Sequence, residues 1–86
     1  MKLQDLVEEF QVLGKDLVDK VRTLIHEGNV RRIIIQDEHG TTFMEIPITI
    51  AILGTALAPV LAAVGALSAL IAKFNIVVER RGVNSA

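Results

Sequence analysis

The feature that most constrains this chain is a long stretch without charge. No ionisable side chain occurs between Glu45 and Lys73, in a protein of 86 residues. The stretch predicts an apolar helix over 48–72, kinked or divided at Pro59, because proline inside a helix removes a hydrogen bond. A continuous helix over 49–72 would be about 36 Å long, which exceeds the roughly 30 Å hydrocarbon core of a bilayer. A helix that is apolar all round must be buried all round, in lipid, in the protein's own core, or against copies of the chain.

The composition leaves few other ways to stabilise a domain of this length. There is no cysteine, which excludes disulfides and thiolate metal sites. Nine basic and ten acidic residues nearly cancel, so no overall field draws the chain to nucleic acid or to an anionic membrane. A single core in a chain this small is only marginally stable. Oligomerisation or a bilayer is therefore the expected reinforcement.

The first part of the chain has the pattern of an amphipathic helix. Apolar residues at three- and four-residue steps predict a helix over 3–27: Leu3, Leu6, Phe10, Leu13, Leu17, Val21 and Leu24. Charged residues fall on the opposite face of this helix. Asp5, Glu8 and Glu9 stand where a signal peptide would have its apolar region, so we expect a cytoplasmic protein.

Strand-forming residues occur on both sides of the apolar stretch. They predict a β-hairpin over 30–46, with its turn at "DEHG", and a further strand over 74–80. Pro47 ends the hairpin, because proline has no N–H for the ladder. We therefore predict a single α+β domain over 1–86 with a three-stranded, mainly antiparallel sheet. The expected strand order is second hairpin strand, first hairpin strand, C-terminal strand, and the apolar helix connects the hairpin to the C-terminal strand.

The apolar helix has two faces that differ in side-chain size. Large side chains recur at steps of four and three residues and are expected to pack in the core: Leu53, Leu57, Val60, Val64, Leu67 and Ile71. Small residues lie beside them and would let another helix approach closely: Gly54, Ala58, Ala62, Gly65, Ala69 and Ala72. This small-residue face predicts that the stretch is buried against copies of the same chain.

Two pairs of adjacent arginines are the candidate binding residues: Arg31 with Arg32, and Arg80 with Arg81. If the first hairpin strand pairs antiparallel with the C-terminal strand, both pairs approach one edge of the sheet. They could then hold lipid headgroups or RNA phosphates. The alternative is that Arg31 or Arg32 pairs across strands with Glu79. Nucleic acid is the less favoured partner, because the chain has only three aromatic residues, all phenylalanine, to stack on bases.

Little in the chain points to catalysis. His26 and His39 are the only imidazoles. Asp37, Glu38 and His39 are consecutive in a turn, where neighbouring side chains diverge rather than converge on a metal ion. Ser68 has no base in sequence reach, which favours packing or hydrogen bonding over nucleophilic chemistry. We expect no enzymatic activity, no metal and no other cofactor.

Four segments of the chain resemble one known family. They are "EGNVRRI" at the junction from helix to strand, "EIP" at the end of the hairpin, "LAPVLAAVGAL" in the apolar stretch and "VVER" near the end of the chain. The resemblance as a whole covers about residues 17–80, and it is to the bacterial and archaeal domain of unknown function 4342. The resemblance implies membership of that family and brings no activity, cofactor or site residue with it.

The function that these features predict is a non-catalytic structural module that associates with itself, as a homo-oligomer or a filament. One alternative is a membrane-associated protein whose 48–72 helix enters lipid with the arginine pairs at the headgroups. Another is a small domain that binds an anionic ligand or RNA. The first two functions differ in what covers the uncharged stretch, which is other copies of the chain in one and lipid in the other.

Overall fold

The computed structural model describes residues 7–80, which form an antiparallel sheet with helices packed on one face. The elements, in chain order, are β1 (Val7–Leu13), a 3₁₀ helix (Gly14–Asp16), α1 (Leu17–His26), β2 (Val30–Asp37), β3 (Thr42–Pro47), α2 (Ile50–Gly54), α3 (Leu57–Ser68) and β4 (Lys73–Arg80). The strands are ordered β1-β4-β2-β3, so β1 and β3 are the two edges of the sheet.

The predicted α+β fold class is confirmed, together with the hairpin and the C-terminal strand. The predicted order of those three strands is also confirmed, because β2 pairs with β3 on one side and with β4 on the other, both antiparallel. The predicted number of strands is wrong. A fourth strand, β1, pairs antiparallel with the remaining side of β4, from Val7 opposite Glu79 to Leu13 opposite Lys73.

The predicted helix over 3–27 is wrong in its first half, and its helical part is α1 alone. Residues 3–6 lie outside the described part of the chain, and 7–13 are β1. Phe10 and Val12 are half-buried and pack on the core, whereas Gln11 between them is exposed. This alternation at every second residue is typical of a strand, whereas the three- and four-residue steps of the apolar residues predicted a helix. Pairing with β4 decides between them, because a strand here also satisfies the backbone groups on the outer side of β4, whereas a helix would satisfy only its own.

Gly14 marks the point where the chain changes from strand to helix. Its N–H donates a 2.8 Å hydrogen bond to the carbonyl of Ala72. A Cβ at this position would lie 2.6 Å from the carbonyl oxygen of Ser68 and 2.8 Å from that of Ile71. Only glycine fits so close an approach of two backbones, and the contact fixes the end of α3 against the β1–α1 junction.

The predicted helix over 48–72 is divided into α2 and α3, and the break lies at Thr55 and Ala56 rather than at Pro59 itself. Pro59 lies in the first turn of α3, where an N–H has no helical acceptor to lose. A proline ring clashes with the carbonyl four residues earlier, which here belongs to Thr55. An uninterrupted helix is therefore disfavoured at Thr55, and α3 is only about 18 Å long. Within residues 7–80, no helix is both long and apolar enough to cross a membrane.

One apolar core lies between the sheet and the helices. It combines residues from α1 and α3 with inward-facing residues of β2, β3 and β4: Leu17, Val21, Leu24, Ile25, Val30, Ile33, Ile35, Ile46, Val64, Phe74, Ile76 and Val78. The other face of the sheet carries a polar row, in which the side-chain amide of Asn75 lies 3.4 Å from the oxygens of both Gln36 and Glu9. The helices and the core thus share one face of the sheet.

Candidate interaction surfaces

The outward side of α2 and α3 is an exposed surface without any charged residue. We call it the uncharged surface and define it by its exposed residues: Ile50, Ala51, Leu53, Gly54, Ala58, Ala62, Ala66, Ala69 and Leu70. The large side chains at its ends are the most open, with Ile50 at 90% exposure and Leu70 at 65%. Both helices come from the stretch between Glu45 and Lys73, so no charge interrupts the surface.

The small residues predicted to face a partner do not all lie on this surface. Gly54, Ala58, Ala62, Ala69 and Ala72 are exposed, whereas Gly65 is half-buried. A Cβ on Gly65 would lie 3.8 Å from Cγ2 of Val18, which belongs to α1. The close approach that Gly65 allows is therefore made within the protomer, between α1 and α3.

The large residues predicted to fill the core are buried to different degrees. Val64 is fully buried, and four others are half-buried and pack against the core: Leu57, Val60, Leu67 and Ile71. Leu53 differs, because 47% of it is exposed. It belongs to α2, and the break before α3 interrupts the periodicity that would have placed Leu53 in line with Val60 and Val64.

Arg80 is a structural residue at the end of the core. Its side chain is only 16% exposed. Its Nε donates to Oε1 of Glu8 at 2.9 Å, and its Nη1 donates to Oε1 of Glu27 and, at 2.9 Å, to Oδ1 of Asn29. The bonds to Glu27 and then to Glu8 raise the pKa of Arg80 above its usual value. Its charge therefore ties β4 to β1 and to the turn after α1.

Arg31 and Arg32 lie apart from Arg80. Arg32 is opposite Glu79 in the β2–β4 register, whereas Arg80 follows Glu79 and so points to the other face of the sheet. The Arg32 guanidinium lies 3.9 Å from a carboxylate oxygen of Glu79 and from one of Glu45, as the cross-strand alternative expected. Arg31 is exposed and makes no ion pair among residues 7–80. Arg81 lies outside the described residues.

A groove of about 310 Å³ adjoins these two arginines. Arg31, Arg32 and Glu79 line it together with Pro47, Ile48 and Thr49, at the start of α2. The Ile48 N–H donates to the Arg31 carbonyl at 2.9 Å, which joins this part of the chain to β2. The groove thus places the Arg31 guanidinium near the segment that leads to exposed Ile50.

The turn between β2 and β3 is ordered by its own acid. Oδ1 of Asp37 accepts the N–H of His39 at 2.8 Å and the N–H of Thr41 at 2.9 Å. The Thr41 bond is the main reason why the pKa of Asp37 lies below its usual value. Among residues 7–80 there is no group of three acidic or histidine side chains placed to hold a metal ion. In this structure Asp37, His39 and Thr41 thus order the turn that connects β2 to β3.

Two features of these surfaces were not foreseen from the sequence. One is the open edge of β1, for which the alternation of Phe10 and Val12 ahead of Gly14 is the available signal. The other is the position of Arg80 among three acceptors from distant parts of the chain. No pattern along the sequence brings Glu8, Glu27 and Asn29 together, since only the folded sheet makes them neighbours.

The resemblance seen in the sequence is confirmed by a family model that matches most of the chain. The family model for the domain of unknown function DUF4342 matches residues 4–80, which includes every element described above. The chain therefore belongs to this family. No curated protein and no solved structure matches the chain.

Proposed function

We propose that this protein is a non-catalytic structural module that associates with copies of itself through the uncharged surface. The observation that carries the proposal is the exposure of apolar residues on a surface with no charge. Ile50 is 90% exposed and Leu70 is 65% exposed, and exposed alanines lie between them on α3. Covering this area would contribute about 25 cal/mol for each Å² of apolar surface removed from water.

The small size of the outward residues supports a protein partner. Ala58, Ala62 and Ala66 form the exposed side of α3, at steps of four residues. Such a stripe permits another backbone to come close, so that dispersion contacts are made along the whole helix. A second copy offers the same stripe, and a two-fold arrangement would cover both surfaces at once.

The direct test introduces one charge into the proposed interface. Ala62→Glu keeps a good helix former on an exposed position, so the protomer should fold, but the interface would have to bury an unpaired carboxylate. Thr23→Glu on the exposed side of α1 is the matched control. We expect the unmodified chain to form a particle of more than one copy in detergent-free buffer, as measured by light scattering.

The two substitutions should separate clearly in that measurement. Ala62→Glu should shift the particle towards smaller mass, while Thr23→Glu leaves it unchanged. A chain that is monomeric at all accessible concentrations would overturn the proposal. So would an Ala62→Glu protein whose particle mass equals that of the unmodified chain.

A second candidate function is attachment to an anionic membrane surface, and Arg31 is the observation that favours it. Arg31 is exposed and lines the groove at the start of α2 together with Ile48. The exposed Ile50 follows Ile48 by two residues. An arginine near an anionic surface contributes about 1 kcal/mol. Binding to phosphatidylglycerol vesicles that weakens with salt and falls about fivefold in Arg31→Gln would support this function. Equal sedimentation with and without vesicles would exclude it.

A further inference from the structure

We propose that the edge strand β1 is a second interface, which pairs antiparallel with β1 of another copy and joins two sheets into one of eight strands. The two edges of the sheet differ in a way that singles out β1. The β3 edge ends in Pro47, and its pairing with β2 shifts register between Ile35 and Gln36. Prolines and irregularities of this kind block the addition of a further strand.

The β1 edge has none of these obstacles. Its seven residues contain no glycine or proline and pair with β4 in one unbroken register. Only one side of β1 is used by β4, because β1 is the last strand of the sheet within the described residues. No strand among residues 7–80 pairs with the backbone groups on its other side, which is the side that the proposed partner strand would use.

The sequence of β1 is complementary to itself about Phe10. In the antiparallel register centred there, Val7 lies opposite Leu13 of the second copy, and the same pair repeats at the other end of the ribbon. Val7 is 51% exposed and Leu13 is 45% exposed, and both lie on the same face of the strand. Pairing thus covers four exposed aliphatic side chains, which are stabilising as directly opposed cross-strand pairs.

The charges of β1 also fit this register. Glu9 lies opposite Gln11 of the second copy and Glu8 lies opposite Val12, so no two acids are directly opposed. A shift that centred the pairing on Glu9 would place the two Glu9 carboxylates opposite each other, which is destabilising. Glu8 is moreover held by Arg80 at 2.9 Å within its own protomer. The Phe10 register is therefore the one that pairs the full strand without opposing like charges.

The packing of α1 beside β1 is open. A groove of about 400 Å³ runs between β1 and α1, lined by Phe10, Val12, Asp16 and Lys20 among others. The Nζ of Lys20 lies 3.9 Å from the centre of the Phe10 ring, on the helix side. Within the described residues, α1 thus covers β1 only in part.

This interface is separate from the uncharged surface and does not depend on it. None of the β1 residues belongs to the set that defines that surface. A protomer with two different two-fold interfaces can join copies alternately through one and then the other, which gives an open chain unless the geometry closes it. With the β1 interface alone, the assembly stops at a dimer.

Single cysteines test the pairing directly, because the chain contains no cysteine of its own. Glu9→Cys and Gln11→Cys are prepared separately on the full chain, and both positions are exposed on β1. When the two variants are mixed under mild oxidation, we expect a disulfide-linked dimer containing one copy of each, identified by intact mass. Thr42→Cys and Glu45→Cys on the β3 edge are the matched controls and should not link when mixed.

Each variant alone reports on the register. Glu9→Cys by itself should not form a linked dimer, and the same holds for Gln11→Cys, because neither residue lies opposite itself. Efficient linking of Gln11→Cys alone would contradict the Phe10 register, and failure of the mixture to link would overturn the interface altogether. Repeating the mixture with Ala62→Glu present separates the two proposals. Linking that survives this charge belongs to β1, whatever the uncharged surface does.

Discussion

The helices α1 and α3 lie side by side on the same face of the sheet, yet their outward sides are opposites. α1 buries Leu17, Val21 and Leu24 and exposes polar residues such as Arg22 and Thr23. α3 buries Val64 and exposes Ala58 and Ala62, with no charge along its length. Both helices pack on the same core, so burial in that core does not explain why their outward sides differ.

Apolar residues on these two helices have two roles, which are packing in the core of the protomer and forming an exposed surface. In α1 the apolar residues are the ones that pack on the core, and this burial is what folding of a single protomer requires. In α3 the apolar surface continues beyond the contact and is left open to water. Apolar surface of this kind marks sites of association, and the following predictions measure how far the two helices differ.

The largest effect is expected from truncating the inward sides, where the helices should behave alike. Leu17→Ala removes a fully buried side chain, and leaving a cavity of this kind lowers the free energy of unfolding by about 2–5 kcal/mol. Val64→Ala should act in the same direction but less, since fewer atoms are removed. Both are measured by denaturant unfolding. A Val64→Ala protein as stable as the unmodified chain would show that α3 is not part of the core.

Gly14→Ala should be nearly as damaging, because it breaks the contact that holds the end of α3. The new Cβ would lie 2.6 Å from the Ser68 carbonyl oxygen, and overpacking of this kind lowers stability by about 1–3 kcal/mol. Gly54→Ala is the matched control, since nothing lies within 4 Å of a Cβ there and alanine favours helix by up to about 1 kcal/mol. Melting temperatures should therefore move in opposite directions.

Gly65→Leu tests whether α1 is the partner of the glycine in α3. The added side chain would push against Val18 and should lower the stability of the protomer by about 1–3 kcal/mol. Gly65→Ala should be tolerated, because a Cβ at 3.8 Å from Val18 is in ordinary contact. If Gly65→Leu instead changed particle mass and kept the melting temperature, Gly65 would face another copy, as the sequence pattern alone suggested.

The smallest effect on stability is expected from Arg80, which bonds to Glu27 at the end of α1. Within the described residues, α3 has no such ion pair at its end. Arg80→Met should lower the free energy of unfolding by about 1–2 kcal/mol, because Glu8 and Glu27 lose charge-assisted hydrogen bonds. Arg32→Met is the control. Its longer, half-exposed pairs with Glu45 and Glu79 should contribute no more than about 1 kcal/mol. Equal losses in the two variants, measured by urea unfolding, would contradict the structural role given to Arg80.

Patterns that repeat over short distances predicted much of the fold. The strand-forming residues and the turn chemistry from Asp37 to Gly40 predicted the hairpin, and Pro47 predicted its end. The missing charge between Glu45 and Lys73 predicted an apolar helical segment between the hairpin and the C-terminal strand. These features are local, because they depend on the side-chain periods of helices and strands and on the special backbone of proline and glycine.

The remaining features were decided by tertiary structure. Phe10, Val12 and Leu13 fit both a helix and a strand, and the open side of β4 selected the strand. Gly65 was one small residue among several until α1 packed against it. Arg80 has acceptors that are far apart in sequence, and Arg32 faces the other side of the sheet. By itself, then, the sequence determined the hairpin, the C-terminal strand and the uncharged character of one segment. Which residues that segment buries and which it leaves exposed was decided only by tertiary structure, because burial depends on neighbours from distant parts of the chain.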